Sequence, residues 1–458
     1  MAALPFAVLQ AAVVPALPTL QRELGASTTW TAWTVTGFLV VAAVTTPLFS
    51  RLGDQHGKAK LILASLGIFI AGAIGATVAW DIGSLIGFRA IQGTSAAVFP
   101  LAFAIVKDQI PARSVGFAMG LLASIGGVGG GLGLLLSGVV LDNLTWRWLF
   151  AIAAMIAATS AVVVHRVIHD EPSGRDTRLD IPGAVLLMAA LASLMVGLTE
   201  GPELGWSDPV TLALFVGALV LFAIWVAVEK RVDVPLVDVN MLLGRTVFVT
   251  NLATLVVGFA MFATFVVVPV LVEAPRGLSS DLASLVDYGF GGSSTLTGLL
   301  ILPASMAIVV GGLWAGWMVR RVAPGTLFSA GILILGLGSA AVAIAHASEW
   351  QLAVAMLPFG FGIGVVLALG PLLITGAVRE DETSVAIGMN AVLRVIGAVI
   401  GGQVAAAILA SVTFSSTTVP KGAAFTSVFW MSAGAAFLAA AAATLITPRR
   451  ARFLARGG

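Results

Sequence analysis

Two arginines lie deep inside apolar stretches of this sequence, where a guanidinium could bind an anion or hydrogen-bond a polar partner. Arg89 is followed three positions later by Gln92, and Arg394 is preceded four positions earlier by Asn390, so each pair would share one face of a helix. A buried arginine costs about 2.5–3.5 kcal/mol on insertion scales, so each should face a cavity or a partner. The alternatives are snorkelling of Arg89 to the surface and carbonyl binding by Arg394 inside the protein.

The segment SRLGDQHGKAK concentrates charge between two apolar stretches. Asp54 could cap a helix N-terminus or pair with a cation, and Lys58 and Asp108 are the candidate partners in this region. Gly53 and Gly57 would permit a tight turn and a close backbone approach. The alternative is a solvated loop whose basic residues only fix the orientation of the chain.

A third feature is a glycine-dense stretch that contains Gly129, Gly133 and Gly138. Glycines four positions apart allow two helices to approach closely in a membrane. The same residues could instead form a hinge, and the sequence leaves both interpretations open.

Metal and thiol chemistry find little support in the sequence. The chain has no cysteine, and its four histidines, at positions 56, 165, 169 and 346, fall in predicted loops or near the ends of apolar stretches. His165 and His169 have a spacing that could bind a metal, but a solvated loop is the preferred interpretation. We therefore predict no metal site, no cofactor and no enzymatic activity.

Composition places these residues in a membrane protein. The 458-residue chain is 59% hydrophobic and 10% charged, against about 25% charged residues in a typical soluble domain. Its mean hydropathy is +1.05, which is typical of a polytopic membrane protein. The net charge of +2 gives no reason to expect a nucleic-acid partner. All 22 acidic residues fall in predicted loops or at the ends of apolar stretches.

Apolar runs of about 20 residues predict fourteen spanning helices. The first twenty residues lack the basic start of a signal peptide, so they are taken as the first span, and the chain is expected to begin within it. The predicted spans are 2–19, 29–50, 60–79, 83–106, 115–140, 147–165, 181–199, 209–228, 246–272, 295–319, 326–345, 350–378, 385–412 and 423–446.

The basic residues sort strongly between the two faces of this topology. We call the face that carries residues 51–60 side A and the opposite face side B. Of the 24 lysines and arginines, eighteen fall on side A, four fall on side B, and Arg89 and Arg394 lie within predicted spans. By the positive-inside rule side A is expected to be cytoplasmic, with both termini inside. The Ala, Gly and Val bias favours a bacterial source, hence a bacterial cytoplasmic membrane.

Two similar hexapeptides suggest an internal repeat. SVGFAM at 114–119 opens the fifth predicted span, and SVAIGM at 384–389 opens the thirteenth. Repeated halves are typical of secondary transporters, whose substrate site lies between them near the membrane midplane.

Six segments follow one another along the chain in a recognisable order. They are ALPTLQRELGAS, SRLGDQHGKAK, FRAIQGTSAAVFP, TWRWLF, YGFGGSSTLTGLLILP and MNAVLRVIGAVIGGQ. SRLGDQHGKAK is similar to the signature of the loop between helices 2 and 3 in the major facilitator superfamily, and the ordered set resembles its fourteen-helix drug:proton antiporter branch. The fifth span departs from the branch signature, because Leu134 stands where a proline is expected after Gly133.

The resemblance implies an all-α polytopic membrane protein with two six-helix bundles and an inserted helix pair. It implies an N-terminal bundle at 1–165, linkers and the inserted pair at 166–245, a C-terminal bundle at 246–448 and a basic tail at 449–458. Rocking of the bundles would expose a central cavity to each face in turn.

The resemblance also implies roles for the residues described above. Gly53, Asp54, Gly57, Lys58 and Asp108 would form a gate on side A. Arg89, Gln92, Asn390 and Arg394 would belong to the cavity or to coupling, and the glycines of the fifth span to a hinge.

The implied function is export of hydrophobic or amphiphilic small molecules by a monomer in the lipid bilayer, in exchange for protons. An uncoupled facilitator and a specific metabolite or lipid exporter are the alternatives. Related antiporters often carry an acid in the first span. That acid has no counterpart here, because Leu9 or Gln10 stands near its position.

Overall fold

The computed structural model is mainly α-helical over the residues that it describes. The expected basic tail and residues such as His169 lie outside the described part of the chain. The structure describes residues 1–26, 28–168, 180–233, 235–274, 288–414 and 420–444.

Fourteen long helices account for most of these residues. They are α1 Leu4–Glu23, α2 Thr28–His56, α3 Lys58–Thr77, α4 Ile82–Gln109, α5 Ala112–Asn143, α6 Arg147–Val167, α7 Ile181–Leu204, α8 Pro209–Glu229, α9 Arg245–Glu273, α10 Ser294–Met318, α11 Pro324–Ile344, α12 Glu349–Thr375, α13 Thr383–Ser411 and α14 Gly422–Ala443. A single turn of 3-10 helix, Thr94–Ala97, interrupts α4, and a short helix, Val239–Leu243, precedes α9.

Thirteen of these helices are long and apolar enough to cross a membrane. In α1 the apolar part is shorter and covers Leu4–Leu17. A helix satisfies its own backbone hydrogen bonds, which is why apolar runs of this length form helices in lipid. α8 is the least buried span, and Val216 and Leu219 point outward from it, as expected for a lipid-facing surface.

The helices pack as two bundles. In the first, α1 contacts α5 and α6, α2 contacts α4, and α3 contacts α4 and α6. In the second, α9 contacts α13 and α14, and α12 contacts α10 and α11. The pair α7 and α8 packs against α2 and α13 through α7. The predicted fold class, two six-helix bundles with an inserted pair, is confirmed.

The bundles meet along two lines. α5 packs against α10 and α12, while α2 and α4 pack against α13. These contacts leave a space between the bundles, and the site lies there.

The charged segment at 51–60 is not the loop that was expected. α2 continues to His56 and α3 begins at Lys58, so Gly57 alone separates them, with φ of 107°. A residue other than glycine rarely adopts this backbone conformation. The prediction ended the second span at residue 50 because charges begin there, but charged side chains are compatible with the last turns of a helix that has left the lipid.

Candidate functional site

A cavity of about 350 Å³ lies between the two bundles. Residues of α1, α2, α4 and α5 form one wall, and residues of α9, α10, α12 and α13 form the other. The lining is mostly apolar and includes the aromatic side chains of Phe6, Phe99, Phe103, Phe262 and Phe265. A concave, apolar space of this size is typical of a small-molecule site.

One helix, α13, lines the cavity over much of its length. Its lining residues run from Ile387 to Ala406, which corresponds to roughly 28 Å along the helix axis. The cavity therefore begins little more than one turn from the side A end of α13, at Thr383, and continues toward side B.

Polar groups are sparse in the lining, and a single one carries charge. Among the described residues that line the cavity, Arg394 is the charged side chain, and its guanidinium has no hydrogen-bond or ion-pair partner in the described part of the chain. The neutral polar side chains in the lining are Gln10, Thr36, Ser305, Asn390 and Gln403.

The backbone at Arg394 is fixed by close packing of α13 on α9. A Cβ added at Gly258 would lie 2.1 Å from the carbonyl oxygen of Arg394, so the two helices touch there. One turn earlier, Asn390 Nδ2 donates to Asn251 Oδ1 at 2.9 Å and to Thr254 Oγ1 at 3.0 Å. Asn390 thus holds α13 to α9, while Arg394 faces the cavity.

Arg89 and Gln92 do not line the cavity, and Arg89 does not snorkel. Arg89 is fully buried; its Nε donates to the carbonyl oxygen of Thr34 at 3.0 Å and its Nη1 to Gln92 Oε1 at 2.7 Å. Its guanidinium also lies 4.2 Å from the centre of the Phe38 ring. Because these partners are available inside the first bundle, the side chain has no need to reach water.

Arg89 is separated from the cavity by two aromatic rings. The ring of Phe38, which stacks on Arg89, lies 5.0 Å from the ring of Phe6, and Phe6 lines the cavity. The predicted pairing of Arg89 with Gln92 is therefore correct, but both residues lie in the layer behind the cavity wall.

On side A, four side chains connect the two bundles, and we call them the side A latch: Asp54, Lys107, Thr383 and Ser384. Ser384 Oγ donates to Asp54 Oδ1 at 2.5 Å, and Lys107 Nζ donates to Thr383 Oγ1 at 2.9 Å. Asp54 is buried, with 7% of its side chain exposed. The latch lies beside the side A end of the cavity.

Lys58 supports the latch from α3. Its Nζ lies 3.5 Å from Asp54 Oδ1 and 2.5 Å from Asp108 Oδ2. The sequence singled out these three residues, and the structure brings them together. They join the ends of α2, α3 and α4, so the charged face of the first bundle is held as one unit.

Two glycines allow this unit to pack. A Cβ at Gly53 would lie 2.2 Å from Leu101 Cδ2, so α2 contacts α4 closely at that point. Across the bundles, a Cβ at Gly388 would lie 2.8 Å from Ser50 Oγ, which brings α13 against α2 just inside the latch.

The glycines of α5 fall on three faces of one continuous helix. Gly129 and Gly133 pack on α1, where a Cβ would lie 2.4 Å from Ala7 Cβ and 2.2 Å from the Val8 carbonyl oxygen, respectively. Gly138 packs against Thr295 of α10. Gly126 and Gly130 face the cavity with nothing within 4 Å. Packing therefore accounts for Gly129, Gly133 and Gly138, and a hinge at these three glycines stays a prediction.

The sequence analysis did not identify Thr383 and Ser384 of α13, which contact Lys107 and Asp54 in the side A latch, or the buried acid Glu229. Ser384 opens one of the two repeated hexapeptides, and that repeat was the available signal for it. Glu229, at the end of α8, is 4% exposed and accepts a hydrogen bond from Trp225 Nε1 at 2.9 Å. It shares the space at Gly183 with the buried Asp180, and no pattern in the sequence indicated this.

Comparisons with known proteins agree with this architecture. The family model described as Major Facilitator Superfamily matches residues 1–402 and 250–456. The puromycin resistance protein pur8 of Streptomyces alboniger is 30% identical over 322 residues, which is 69% of this chain and 61% of that protein. Multidrug resistance protein 3 of Bacillus subtilis is 26% identical over 66% of this chain and 57% of that protein.

A third relative and a solved structure cover more of the chain. The multidrug resistance protein Stp of Mycobacterium tuberculosis is 27% identical over 86% of this chain and 72% of its own length. The crystal structure of the human organic anion transporter MFSD10 covers 96% of this chain and 97% of its own, with a TM-score of 0.64 and 15% identity, so it shows a shared fold. The chain spans about three fifths of the length of the first two relatives. It belongs to the major facilitator superfamily, whose members are multi-pass membrane transporters and not enzymes.

Proposed function

We propose that this protein exports hydrophobic or amphiphilic, drug-like small molecules across the bacterial cytoplasmic membrane by alternating access, in exchange for protons. The observation that carries the proposal is the apolar cavity between two bundles, next to the side A latch that joins α2 and α4 to α13. Relatives named for puromycin and multidrug resistance support the class of substrate.

The side A latch gives a physical reason why the cavity can change between closed and open toward side A. To open the cavity toward side A, α13 must move away from α2 and α4, which breaks the contacts of Ser384 with Asp54 and of Thr383 with Lys107. Hydrogen bonds to charged groups contribute about 1.5–3 kcal/mol each, so the latch favours closure by a few kcal/mol. A bias of that size is small enough for substrate or a proton to reverse.

The positive-inside rule supports a cytoplasmic side A, with both termini inside. In that orientation the present state faces outward, and release of the latch admits substrate from the cytoplasm. One chain supplies both walls of the cavity, which supports a monomer as the transporting unit. We also propose that 1–165 and 246–448 move as the two bundles, with 166–245 as the inserted segment.

Proton exchange is proposed to act on the latch. Protonation of Asp54 would remove the negative charge that Lys58 and Ser384 contact, and would weaken closure on side A. The uncoupled facilitator is the second candidate, and one observation favours it: the charged residue in the cavity lining is an arginine rather than an acid.

Uptake of a fluorescent amphiphile into inverted vesicles, with and without an inside-acid pH gradient, tests the proposal. The wild-type protein should accumulate the amphiphile only with the gradient, and Asp54→Asn should lower accumulation about tenfold because it removes the latch charge. Asp233→Asn, which changes an exposed acid of the segment between α8 and α9, is the matched control and should transport normally.

Three outcomes separate the candidates. Gradient-dependent uptake that Asp54→Asn reduces supports proton-driven export. Equilibration that ignores the gradient shows a facilitator. No protein-dependent movement of amphiphiles refutes this substrate class.

A further inference from the structure

We infer that the substrate of the cavity is an anionic amphiphile, a molecule with a carboxylate, sulfonate or phosphate group on an apolar body, and that Arg394 binds the anionic group. This inference rests on the proposed function and narrows its substrate class. It depends on the surroundings of Arg394 and on a comparison with Arg89 in the same fold.

Arg394 brings an uncompensated positive charge into an apolar space. It is the charged residue among the described lining residues, and the described part of the chain offers its guanidinium no acceptor. A guanidinium presents five N–H donors in a planar fork that matches a carboxylate or phosphate. An anion that enters the cavity therefore meets donors that no protein group already occupies.

The depth of Arg394 rules out relief by snorkelling. It lies eleven residues from the side A end of α13, which is roughly 16 Å along the helix and close to the middle of a bilayer. Close packing at Gly258 holds its backbone against α9. The guanidinium therefore stays at the depth of the cavity.

Arg89 shows how this fold treats an arginine that serves structure. The carbonyl of Thr34 accepts from its Nε, Gln92 Oε1 accepts from its Nη1, and the ring of Phe38 lies against the guanidinium, so that Nη2 alone has no hydrogen-bond partner among the described residues. Arg394 has no comparable set of partners among the described residues. The difference is what a ligand-binding arginine requires, because its donors must be available to the ligand.

The wall beside Arg394 suits the rest of such a molecule. Ala391, Ala398 and Gly402 lie on the same face of α13 and leave room on both sides of the arginine. Phe262 and Phe265 of α9 and Phe103 of α4 supply apolar surface for the body of the ligand. Gln403 lies in the same wall and can donate a further hydrogen bond.

Binding of a matched pair of probes tests the inference: a dansyl-labelled undecanoic acid and its methyl ester, titrated against the purified protein in detergent at pH 7. The wild-type protein should bind the acid at least about tenfold more tightly than the ester. Arg394→Gln should weaken binding of the acid about 10- to 100-fold and leave the ester unchanged, because only the acid uses the charge.

Two further variants sharpen the test. Arg394→Lys keeps a cation and should retain part of the preference for the acid, whereas Arg231→Gln removes an exposed cation outside the cavity and should change neither probe. If Arg394→Gln fails to fold, the wild-type comparison of acid with ester tests the preference for an anion, and Arg394→Lys tests whether Arg394 provides it: an unchanged affinity of Arg394→Lys for the acid would contradict a bidentate guanidinium contact.

Equal binding of acid and ester by the wild-type protein, or no binding of the acid, overturns the inference. So does an Arg394→Gln variant that weakens both probes equally. Transport of the same probes in vesicles separates this inference from the proposed function. If the vesicles transport the ester and the protein shows no preference for the acid, export stands and the anion site is refuted. If the protein binds the acid through Arg394 but transports neither probe, the anion site stands and export is refuted.

Discussion

At the scale of single residues, the burial of a charge is decided by its immediate partners. Arg89 is as buried as any apolar residue of the core, yet three groups of α2 and α4 accommodate its guanidinium. An arginine in this setting is expected to stabilise the first bundle, and its removal leaves the buried Gln92 Oε1 without a donor.

A double-mutant cycle on Arg89 and Gln92 tests this interpretation. Arg89→Met should destabilise the protein by about 2–4 kcal/mol, because Gln92 Oε1 loses its donor inside an apolar core and the Thr34 carbonyl loses its second one. Gln92→Leu should then cost less in the Arg89→Met background than in the wild-type protein. Thermal unfolding in detergent provides the measurement, and additive costs would show that the two side chains do not interact.

The two arginines also show what the sequence can determine. Helical spacing correctly paired Arg89 with Gln92 and Arg394 with Asn390 as neighbours on a face. It could not tell which face of each helix meets the cavity, since that depends on how the helices are rotated within their bundles. Arg394 therefore lines the cavity while Arg89 lies behind it, although both were expected in the same place.

At the scale of elements, α5 and α10 pack backbone to backbone. A Cβ at Gly120 would lie 2.2 Å from the Gly312 carbonyl oxygen, and one at Gly316 would lie 2.4 Å from the Gly116 carbonyl oxygen. We call this line of contact the glycine seam, defined by Gly116, Gly120, Gly312 and Gly316. Gly120 and Gly316 meet the opposite backbone directly, so the two backbones fix the separation of the helices, and the side chains of Val319 and Ser124 flank this contact.

Alanine substitutions should distinguish the seam from the cavity face of the same helix. Gly120→Ala should lower stability by about 1–3 kcal/mol, because the methyl group meets backbone that cannot rotate away. Gly130→Ala, on the cavity face of α5 with nothing within 4 Å, is the matched control and should raise helix stability by up to about 1 kcal/mol. The melting temperatures of the two variants and of the wild-type protein in detergent check the prediction. Equal shifts of both variants from the wild-type value would contradict it.

The elements were largely readable from the sequence, because each span is a long apolar run bounded by charges. The exceptions have a physical cause. The predicted loop at 51–60 proved to be the ends of two helices, since charge marks where a helix leaves the lipid and not where it stops. The latch contact of Asp54 with Ser384 joins residues 330 positions apart, and no local pattern specifies such a pairing.

At the scale of the whole molecule, the described bundles touch along α5, which packs on α10 and α12, and along α2 and α4, which pack on α13. The glycine seam belongs to the first contact and lies on the side A side of the cavity, because the α5 residues that line the cavity begin at Ala123. The contact of α2 with α13 closes the cavity toward side A at Ser50 and Gly388. Alternating access requires at least one of these contacts to open, and the polar, two-bond latch is the weaker candidate.

A reversible cross-link between α2 and α13 tests whether this contact must open. A Cβ at Gly388 would lie 3.3 Å from Ser50 Cβ, close to the separation of about 3.5–4.5 Å in a disulfide. The Ser50→Cys/Gly388→Cys pair should therefore oxidise readily and stop transport, and a reductant should restore it. Protection of the thiols from a maleimide reagent reports the cross-link without background, because the chain has no other cysteine.

Each single-cysteine variant provides a control and should remain active under oxidising conditions. A fully cross-linked pair that still transports would show that the contact of α2 with α13 stays closed throughout the cycle. The opening motion would then have to occur elsewhere between the bundles.

The glycine seam has a consequence for how the protein can change under selection. Where two side chains meet, a larger residue on one helix can be accommodated by a smaller one on the other, but Gly120 and Gly312 already carry no side chain. A bulky substitution in the seam therefore has no compensating partner, whereas positions such as Ala391 and Ala398 border open space in the cavity. In a library selected for export of a new compound, beneficial substitutions are expected to accumulate along the cavity face of α13 and to be missing from the glycine seam. The substrate specificity can therefore diversify while the packing of α5 on α10 stays the same.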